Sequence, residues 1–205
     1  MSAIRSGTPR RAASGFSMVE LVMSLCVMLI LTALAIPSLM RSMRTYQLNN
    51  AAANVSDMLK FTRFEAVRSN KQINFLMLNY GPAGWLVGTD SNINGVLDPT
   101  EKQQAITGYP TLLPSGIAPS DTSIRNALSV AALTTLSASG NTVTFDARGA
   151  IRLGIGGQVS NSVYVFYVGN LTDPDSGYRA VVLLPSGSTQ IWTWNLNGGL
   201  WRRVG

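Results

Sequence analysis

The sequence predicts an α+β protein in which one long N-terminal helix packs on an antiparallel β-sheet domain. Three observations support this fold class. An uncharged, mostly apolar run extends from Leu21 to Met40, a stripe of small and apolar residues with helical spacing follows it, and short apolar segments separated by Gly, Pro, Asn and Ser fill the rest. A length of 205 residues accommodates an anchor and one soluble domain.

The segment from Phe16 to Met40 is predicted to be a transmembrane helix. Its twenty uncharged residues from Leu21 onward make a helix about 30 Å long, which matches the thickness of a bilayer core. Basic residues precede the helix at Arg5, Arg10 and Arg11. Because positively charged flanks remain in the cytoplasm, the remainder of the chain is expected on the opposite side of the membrane.

Glu20 is an unusual residue at the edge of this apolar helix. An acidic residue at the centre of a membrane helix costs about 3 kcal/mol, so its presence favours a functional partner. Two simpler interpretations compete: a plain anchor, and a cleaved signal peptide with Ala33-Leu34-Ala35 as its small-x-small site. A discarded signal would not need the helical pattern that continues through Pro37 into an amphipathic segment.

The amphipathic segment is predicted to extend the helix over residues 41–70. Its small and apolar positions are spaced alternately four and three apart, at Leu48, Ala52, Val55, Leu59, Thr62 and Ala66. We expect this stripe to pack on the sheet domain. Asn70 fits the residue that follows a helix in the left-handed conformation.

Strands are predicted after the helix, where short apolar segments alternate with turn residues. Prolines at positions 110, 114 and 119 predict irregular chain in the middle of the domain, with residues 127–136 forming a short helix or a strand. The predicted strands are 73–79, 85–87, 103–108, 142–146, 162–168, 178–184 and 189–194.

The composition excludes several classes of function. The chain has no histidine, which rules out His-dependent catalytic triads and His metal sites. Its only cysteine, Cys26, lies in the apolar run, so the domain has no internal disulfide. The net charge is +6, but three of the sixteen basic residues lie in the first fifteen positions, and the remainder is only mildly basic. We expect a protein that is not an enzyme.

The residues Gly15-Phe16-Ser17-Met18-Val19-Glu20-Leu21 resemble the class III (prepilin) leader junction of type IV pilins and pseudopilins. The resemblance implies that a prepilin peptidase removes a leader of residues 1–15 after Gly15. It also implies N-methylation of Phe16. Glu20 then becomes the fifth mature residue, which in the family pairs with the N-terminal amine of a neighbouring subunit during assembly.

The same resemblance divides the chain into three parts. Residues 1–15 are the leader, residues 16–40 are a transmembrane and assembly helix, and residues 41–205 are an exported domain that includes the amphipathic helix 41–70. The implied location is the bacterial inner membrane, as a single-pass protein with its C-terminal domain in the periplasm, and later a pilus or pseudopilus. The implied partners are other pilins, the prepilin peptidase and an inner-membrane assembly platform.

The exported part resembles the GspH/FimT branch of minor pilins and pseudopilins. The resemblance is carried by Phe61–Asn70, Gly84-Trp85, the loop from Asp90 to Glu101, and Val143–Gly149. It implies a minor pilin that initiates or tips a type IV pilus. A type II secretion pseudopilin that serves protein export is the alternative, and a DNA-binding minor pilin for natural transformation is a further alternative.

The segment from Asp90 to Glu101 also matches a twelve-residue calcium loop. Gly95 stands at the sixth position, where the loop turns sharply, and the oxygen ligands would come from Asp90, Asn92, Asn94, the Val96 carbonyl, Asp98 and Glu101. No other cofactor is expected, and any calcium would be structural. The competing interpretation is a polar hairpin connection, in which Asn-Gly and Asp-Pro are ordinary turn residues.

The C-terminal residues Trp201, Arg202 and Arg203 combine an aromatic ring with two cations. Such a combination can bind nucleic acid by stacking and phosphate contact. The alternative is that the tryptophans are buried in a strand while the arginines are solvated. The DNA-binding relatives carry a Gly-Arg-x-Arg-like motif, and the matching segment here, Ser186–Gln190, lacks the arginines.

Overall fold

A computed structural model describes residues 15–81, 84–114, 116–136 and 141–204. The leader predicted for residues 1–15 lies outside this range except for Gly15. The chain divides into two compact units, with the boundary between Met40 and Arg41.

The first unit is the apolar N-terminal helical segment. Helix α1 begins at Met18 and ends at Ser69, which confirms the predicted long helix, and it continues through Pro37. Every described residue from Gly15 to Met40 is exposed. By length and composition, α1 includes a segment that is apolar enough to cross a membrane.

The end of α1 explains why the helix stops where it does. Asn70 has a φ of 50°, and its N–H donates to the Val67 carbonyl at 3.2 Å, while the Lys71 N–H donates to the Ala66 carbonyl at 3.2 Å. These two bonds form a Schellman motif. The predicted role of Asn70 is therefore confirmed.

The second unit packs α1 on two antiparallel sheets, where one sheet was expected. The first sheet has the order β3-β2-β1-β6-β7, and the second has the order β11-β10-β9-β8-β4. Short β5 pairs with β8 in parallel. The strands are β1 Ile73–Tyr80, β2 Gly84–Asp90, β3 Gln103–Ile106, β4 Thr111–Leu113, β5 Thr134–Thr135, β6 Asn141–Phe145, β7 Ile151–Arg152, β8 Tyr164–Gly169, β9 Arg179–Leu183, β10 Thr189–Asn195 and β11 Leu200–Val204.

Two hydrophobic cores lie on the two faces of the second sheet. All six residues of the predicted α1 stripe are fully buried, and they pack with side chains of both sheets, including Phe75, Phe145 and Phe166. The other face buries Trp192 and Trp201 with Ile124 of helix α2, Thr122–Leu128. A one-turn 3₁₀ helix, η1, spans Pro174–Ser176. Because the second sheet is covered on both faces, its central strand β9 is buried at every position.

Candidate functional site

The predicted leader junction lies at the exposed start of α1. Phe16 is 80% exposed, and the Ser17 hydroxyl accepts a hydrogen bond from the Val19 N–H at 3.3 Å. Ser17 is therefore the N-cap residue, which places Glu20 in the first turn at the position of a capping-box acid. Sequence reasoning missed this local role, although the Ser-x-x-Glu spacing signals it.

The predicted calcium loop connects β2 to β3, which pair as an antiparallel hairpin. The fully buried Asp90 carboxylate accepts hydrogen bonds from the N–H groups of Asn94 at 3.1 Å and Gly95 at 3.0 Å. The two Glu101 carboxylate oxygens accept from the N–H groups of Ser91 at 2.6 Å and Asp98 at 3.1 Å. Both acids thus close the loop by bonding its backbone.

Among the remaining predicted ligands, the two asparagines both contact Asp98. The side-chain amides of Asn92 and Asn94 donate to Asp98 at 2.8 and 3.1 Å, and the Val96 side chain is 55% exposed. Within the described residues, no three acidic or cysteine side chains are grouped to hold a metal ion. These hydrogen bonds join the loop residues to one another within the β2–β3 hairpin, and calcium binding stays a prediction.

The predicted nucleic-acid contact at the C-terminus is wrong for Trp201. This residue of β11 is only 3% exposed, its ring packs on Tyr167 and Trp194 at centroid distances of 5.6 and 5.4 Å, and its Nε1–H donates to the Ser120 carbonyl. A ring held in this way is not available to stack on a base. Arg202 and Arg203 are exposed.

Two turns next to α1 bring glycines close to a helix side chain. Gly149 and Gly187 have φ values of 77° and 78°, and a Cβ atom on either would lie 2.8 Å from Arg63 Nε. The Arg63 Nε–H donates to the Gly149 carbonyl at 3.0 Å. These contacts give Gly149, the last residue of one family-like segment, a packing role. The Ser186–Gln190 segment, which lacks the arginines of the DNA-binding motif, forms the tight turn around Gly187 and then the first two residues of β10.

Arg179 is a buried cation that sequence reasoning did not identify. It lies at the start of β9 and is only 5% exposed. Its Nε–H donates to the Asn49 side-chain oxygen at 2.6 Å, and its Nη1 donates to the Tyr178 carbonyl at 2.9 Å. Burial lowers the pKa of Arg179. The sequence signal is an arginine at the edge of an otherwise apolar strand.

Comparison with solved structures finds two crystal structures of the type IV minor pilin FimU from Pseudomonas aeruginosa. They are 16% and 18% identical to this chain, cover 71% and 70% of it, and are themselves covered over 88% and 91% of their lengths. The TM-score is 0.45 for both, which is too low to carry an argument. No curated protein matches this chain in sequence.

The family described as type II transport protein GspH matches residues 51–187. The match covers more than half of the 205 residues, from the buried half of α1 to the turn after β9. It includes all four of the segments that carried the resemblance to GspH/FimT proteins. The chain therefore belongs to the GspH family of pilin-like proteins.

Proposed function

We propose that the chain is a non-enzymatic filament subunit, a minor pilin or pseudopilin. The observation that carries this proposal is the continuity of α1. One helix joins an apolar segment, exposed at every described residue, to the domain that matches the GspH family. An exposed apolar helix of this length needs a cover. Lipid provides it before assembly, and the helices of neighbouring subunits provide it afterwards.

The proposal includes the processing steps that the sequence predicts. A prepilin peptidase cleaves after Gly15, Phe16 becomes the N-methylated first residue, and the Glu20 carboxylate pairs with the terminal amine of a neighbouring subunit. The exposed position of Gly15 and Phe16 ahead of α1 supports access by a peptidase. Before assembly the protein is inserted in the inner membrane with its domain in the periplasm. The assembly platform then incorporates it into the filament.

Two filament systems are candidates. The first is a type IV pilus, in which the chain would act in initiation or at the tip. The second is the pseudopilus of a type II secretion system, and the description of the matched family favours it. A clean deletion in the native bacterium, scored for surface pili and for secreted enzymes, separates the two.

The two outcomes of the deletion are distinct. Loss of pili with normal export identifies a pilus subunit, whereas normal pili with enzymes retained in the periplasm identify a pseudopilus subunit. Complementation with the wild-type gene is the control for effects on neighbouring genes. A deletion that alters neither filament in cells known to express the protein would contradict the filament proposal.

Calcium binding by the loop of residues 90–101 is a separate proposal, supported by the spacing of its oxygen-bearing side chains. Each Asp90 oxygen accepts one backbone hydrogen bond and keeps a lone pair for an ion, whereas Glu101 Oε1 already accepts two hydrogen bonds. The test is the melting temperature of the full chain in detergent micelles with calcium, with magnesium and with chelator. A rise that is specific for calcium and abolished by Asp98→Asn would support the site. If calcium does not raise the melting temperature, the loop is a polar hairpin connection and not a calcium site.

A further inference from the structure

An open pocket of about 460 Å³ lies between the residues that follow η1, strand β10 and strand β11. Three arginines are among its lining residues, the buried Arg179 and the exposed Arg202 and Arg203. We call it the arginine pocket. No acidic side chain is among its lining residues.

The charge of Arg179 is not balanced by a carboxylate within the described part of the chain. Its two hydrogen-bond acceptors, the Asn49 amide and the Tyr178 carbonyl, are neutral. Asp173, in the neighbouring loop, is already bound by Arg44, Tyr109 and Ser176. A guanidinium remains charged in proteins, and burying a charge without a counterion is costly.

Arg202 and Arg203 add to this imbalance. They lie opposite Thr193 and Trp192 in the β10–β11 ladder, and neither forms an ion pair within the described residues. Arg179 and Arg202 both lie beside Thr193 and share one face of the sheet, whereas Arg203 lies beside Trp192 on the other face at the sheet edge. Two cations on one face and a third at the nearby edge create a positive potential that attracts an anionic group. The pocket is therefore electrostatically incomplete without an anion.

The surroundings indicate which anion fits. A planar guanidinium fork binds a carboxylate through two parallel hydrogen bonds. Strand β11 is an edge of the second sheet, so one side of its backbone is open to a partner segment. Stacking on a nucleobase is disfavoured because Trp194 packs against the buried Trp201. These features favour a protein partner over a nucleic acid.

We propose that the arginine pocket binds an acidic side chain of a neighbouring filament subunit. This inference rests on the proposed filament function and adds to it a docking site in the exported domain, separate from the apolar helix. The partner inserts one Asp or Glu between Arg179 and Arg202, which lie on the same face of the sheet, and Arg203 adds positive charge at the edge. The contact fixes the orientation of this subunit's domain relative to the next.

Site-specific photo-crosslinking of the full chain in the native bacterium tests the proposal. Leu196 lines the pocket and is half exposed, so it is replaced by p-benzoylphenylalanine. We expect a covalent adduct with another filament subunit, identified by mass spectrometry at a segment that contains Asp or Glu. Combining the probe with Arg202→Glu and Arg203→Glu should reduce the adduct about tenfold, because like charges then meet.

Matched variants make the test specific. Arg148→Glu changes an equally exposed arginine away from the pocket, and it should leave the adduct unchanged. Reversing the mapped partner acid to Lys should restore the adduct with the Arg202→Glu, Arg203→Glu variant. An adduct that survives the double reversal of Arg202 and Arg203, or a swap that fails to restore a lost adduct, would overturn the carboxylate assignment.

A second probe separates failure of this inference from failure of the filament function. The same crosslinker in place of Ile30, in the exposed apolar segment, should capture neighbouring helices. An adduct at Ile30 without one at Leu196 rejects the pocket and retains the filament subunit. Absence of both rejects both proposals.

A gel shift of the full chain in detergent micelles with a short single-stranded oligonucleotide tests the other class of partner. We expect no shift. A shift that Arg202→Glu and Arg203→Glu abolish, while Arg148→Glu does not, would assign the pocket to nucleic acid and overturn the protein carboxylate.

Discussion

At the scale of single residues, Asp146 is the acid that organises the turn between β6 and β7. Its Oδ1 accepts hydrogen bonds from the N–H groups of Arg148 and Ala150, each at 2.9 Å, and its Oδ2 pairs with Arg152 at 2.9 Å. Burial alone would raise the pKa of the Asp146 carboxyl, but the backbone bonds from Ala150 and Arg148 and the Arg152 guanidinium lower it. The turn thus depends on a charged carboxylate.

We expect Asp146→Asn to reduce the free energy of unfolding by about 2 to 3 kcal/mol, because it leaves Arg152 without its counterion in a mostly buried site. Urea denaturation of the full chain in detergent micelles measures this change. Asp57→Asn, which disrupts an exposed pair with Lys60, should cost less than about 1 kcal/mol. Equal losses in the two variants would show that Asp146 has no special role.

The dependence on pH follows from the direction of the shift. The pKa of Asp146 is lower in the folded than in the unfolded protein, so its contribution to stability is present above about pH 4 and is lost as the pH falls below that value. The difference between wild type and Asp146→Asn should therefore shrink in acid. A difference that grows below pH 4 would contradict this assignment.

At the scale of elements, the end of α1 shows how one residue sets a boundary. Asn70 adopts a left-handed conformation that costs an ordinary L-residue about 1 kcal/mol and glycine almost nothing. We expect Asn70→Ala to lower the free energy of unfolding by about 1 kcal/mol and Asn70→Gly to leave it unchanged or slightly higher. Urea denaturation of both variants provides the measurement, and equal stabilities would contradict the conformational explanation.

The elements that periodicity specifies were predictable from the sequence. The α1 stripe and the longer strands other than β11 were predicted because their side-chain spacing repeats over several residues. Strands β5 and β7 have two residues each and β4 has three. They are too short to show a repeating pattern of apolar side chains, and only their pairing with neighbouring strands defines them. Helix α2 begins at Thr122, five residues before the segment in which a helix or strand was expected.

The same distinction between local pattern and long-range pairing applies to the candidate functional residues. Ser17 and Glu20 stand at a recognisable local spacing, and the acids of the loop 90–101 stand in a recognisable motif. By contrast, the arginine pocket is lined by Arg179 of β9 and by Arg202 of β11, which are 23 positions apart in the sequence. The order of the strands in the second sheet was needed to place them around one cavity. The same strand order explains why Trp201 is buried. Strand β11 places the Trp201 ring in a core that also contains side chains of β8 and β10.

At the scale of the whole molecule, the two units differ in how much of their apolar side chains is exposed to solvent. The second unit buries its apolar side chains in two cores, whereas the first exposes an uninterrupted apolar surface. Such a chain is complete only when lipid or other helices cover its first unit. Glu20 lies at the start of that unit and carries its only acidic charge, since Leu21 to Met40 has none. Under the proposed filament function, we expect entry into the filament to depend on how this charge is compensated.

Glu20 stands at the position of a capping-box acid, so a contribution to helix capping and a contribution to assembly have to be tested separately. Glu20→Ala removes both the charge and the first-turn acceptor, whereas Glu20→Gln removes the charge and keeps a side chain that can cap the helix. If the carboxylate pairs with a neighbouring amine, both variants should be cleaved and inserted normally but be lost from sheared filaments by about tenfold or more. Gly15→Ala should instead accumulate uncleaved protein in the membrane. Immunoblots of membrane and filament fractions distinguish these cases, and normal incorporation of Glu20→Gln beside loss of Glu20→Ala would show that helix capping, and no ion pair, is what assembly requires.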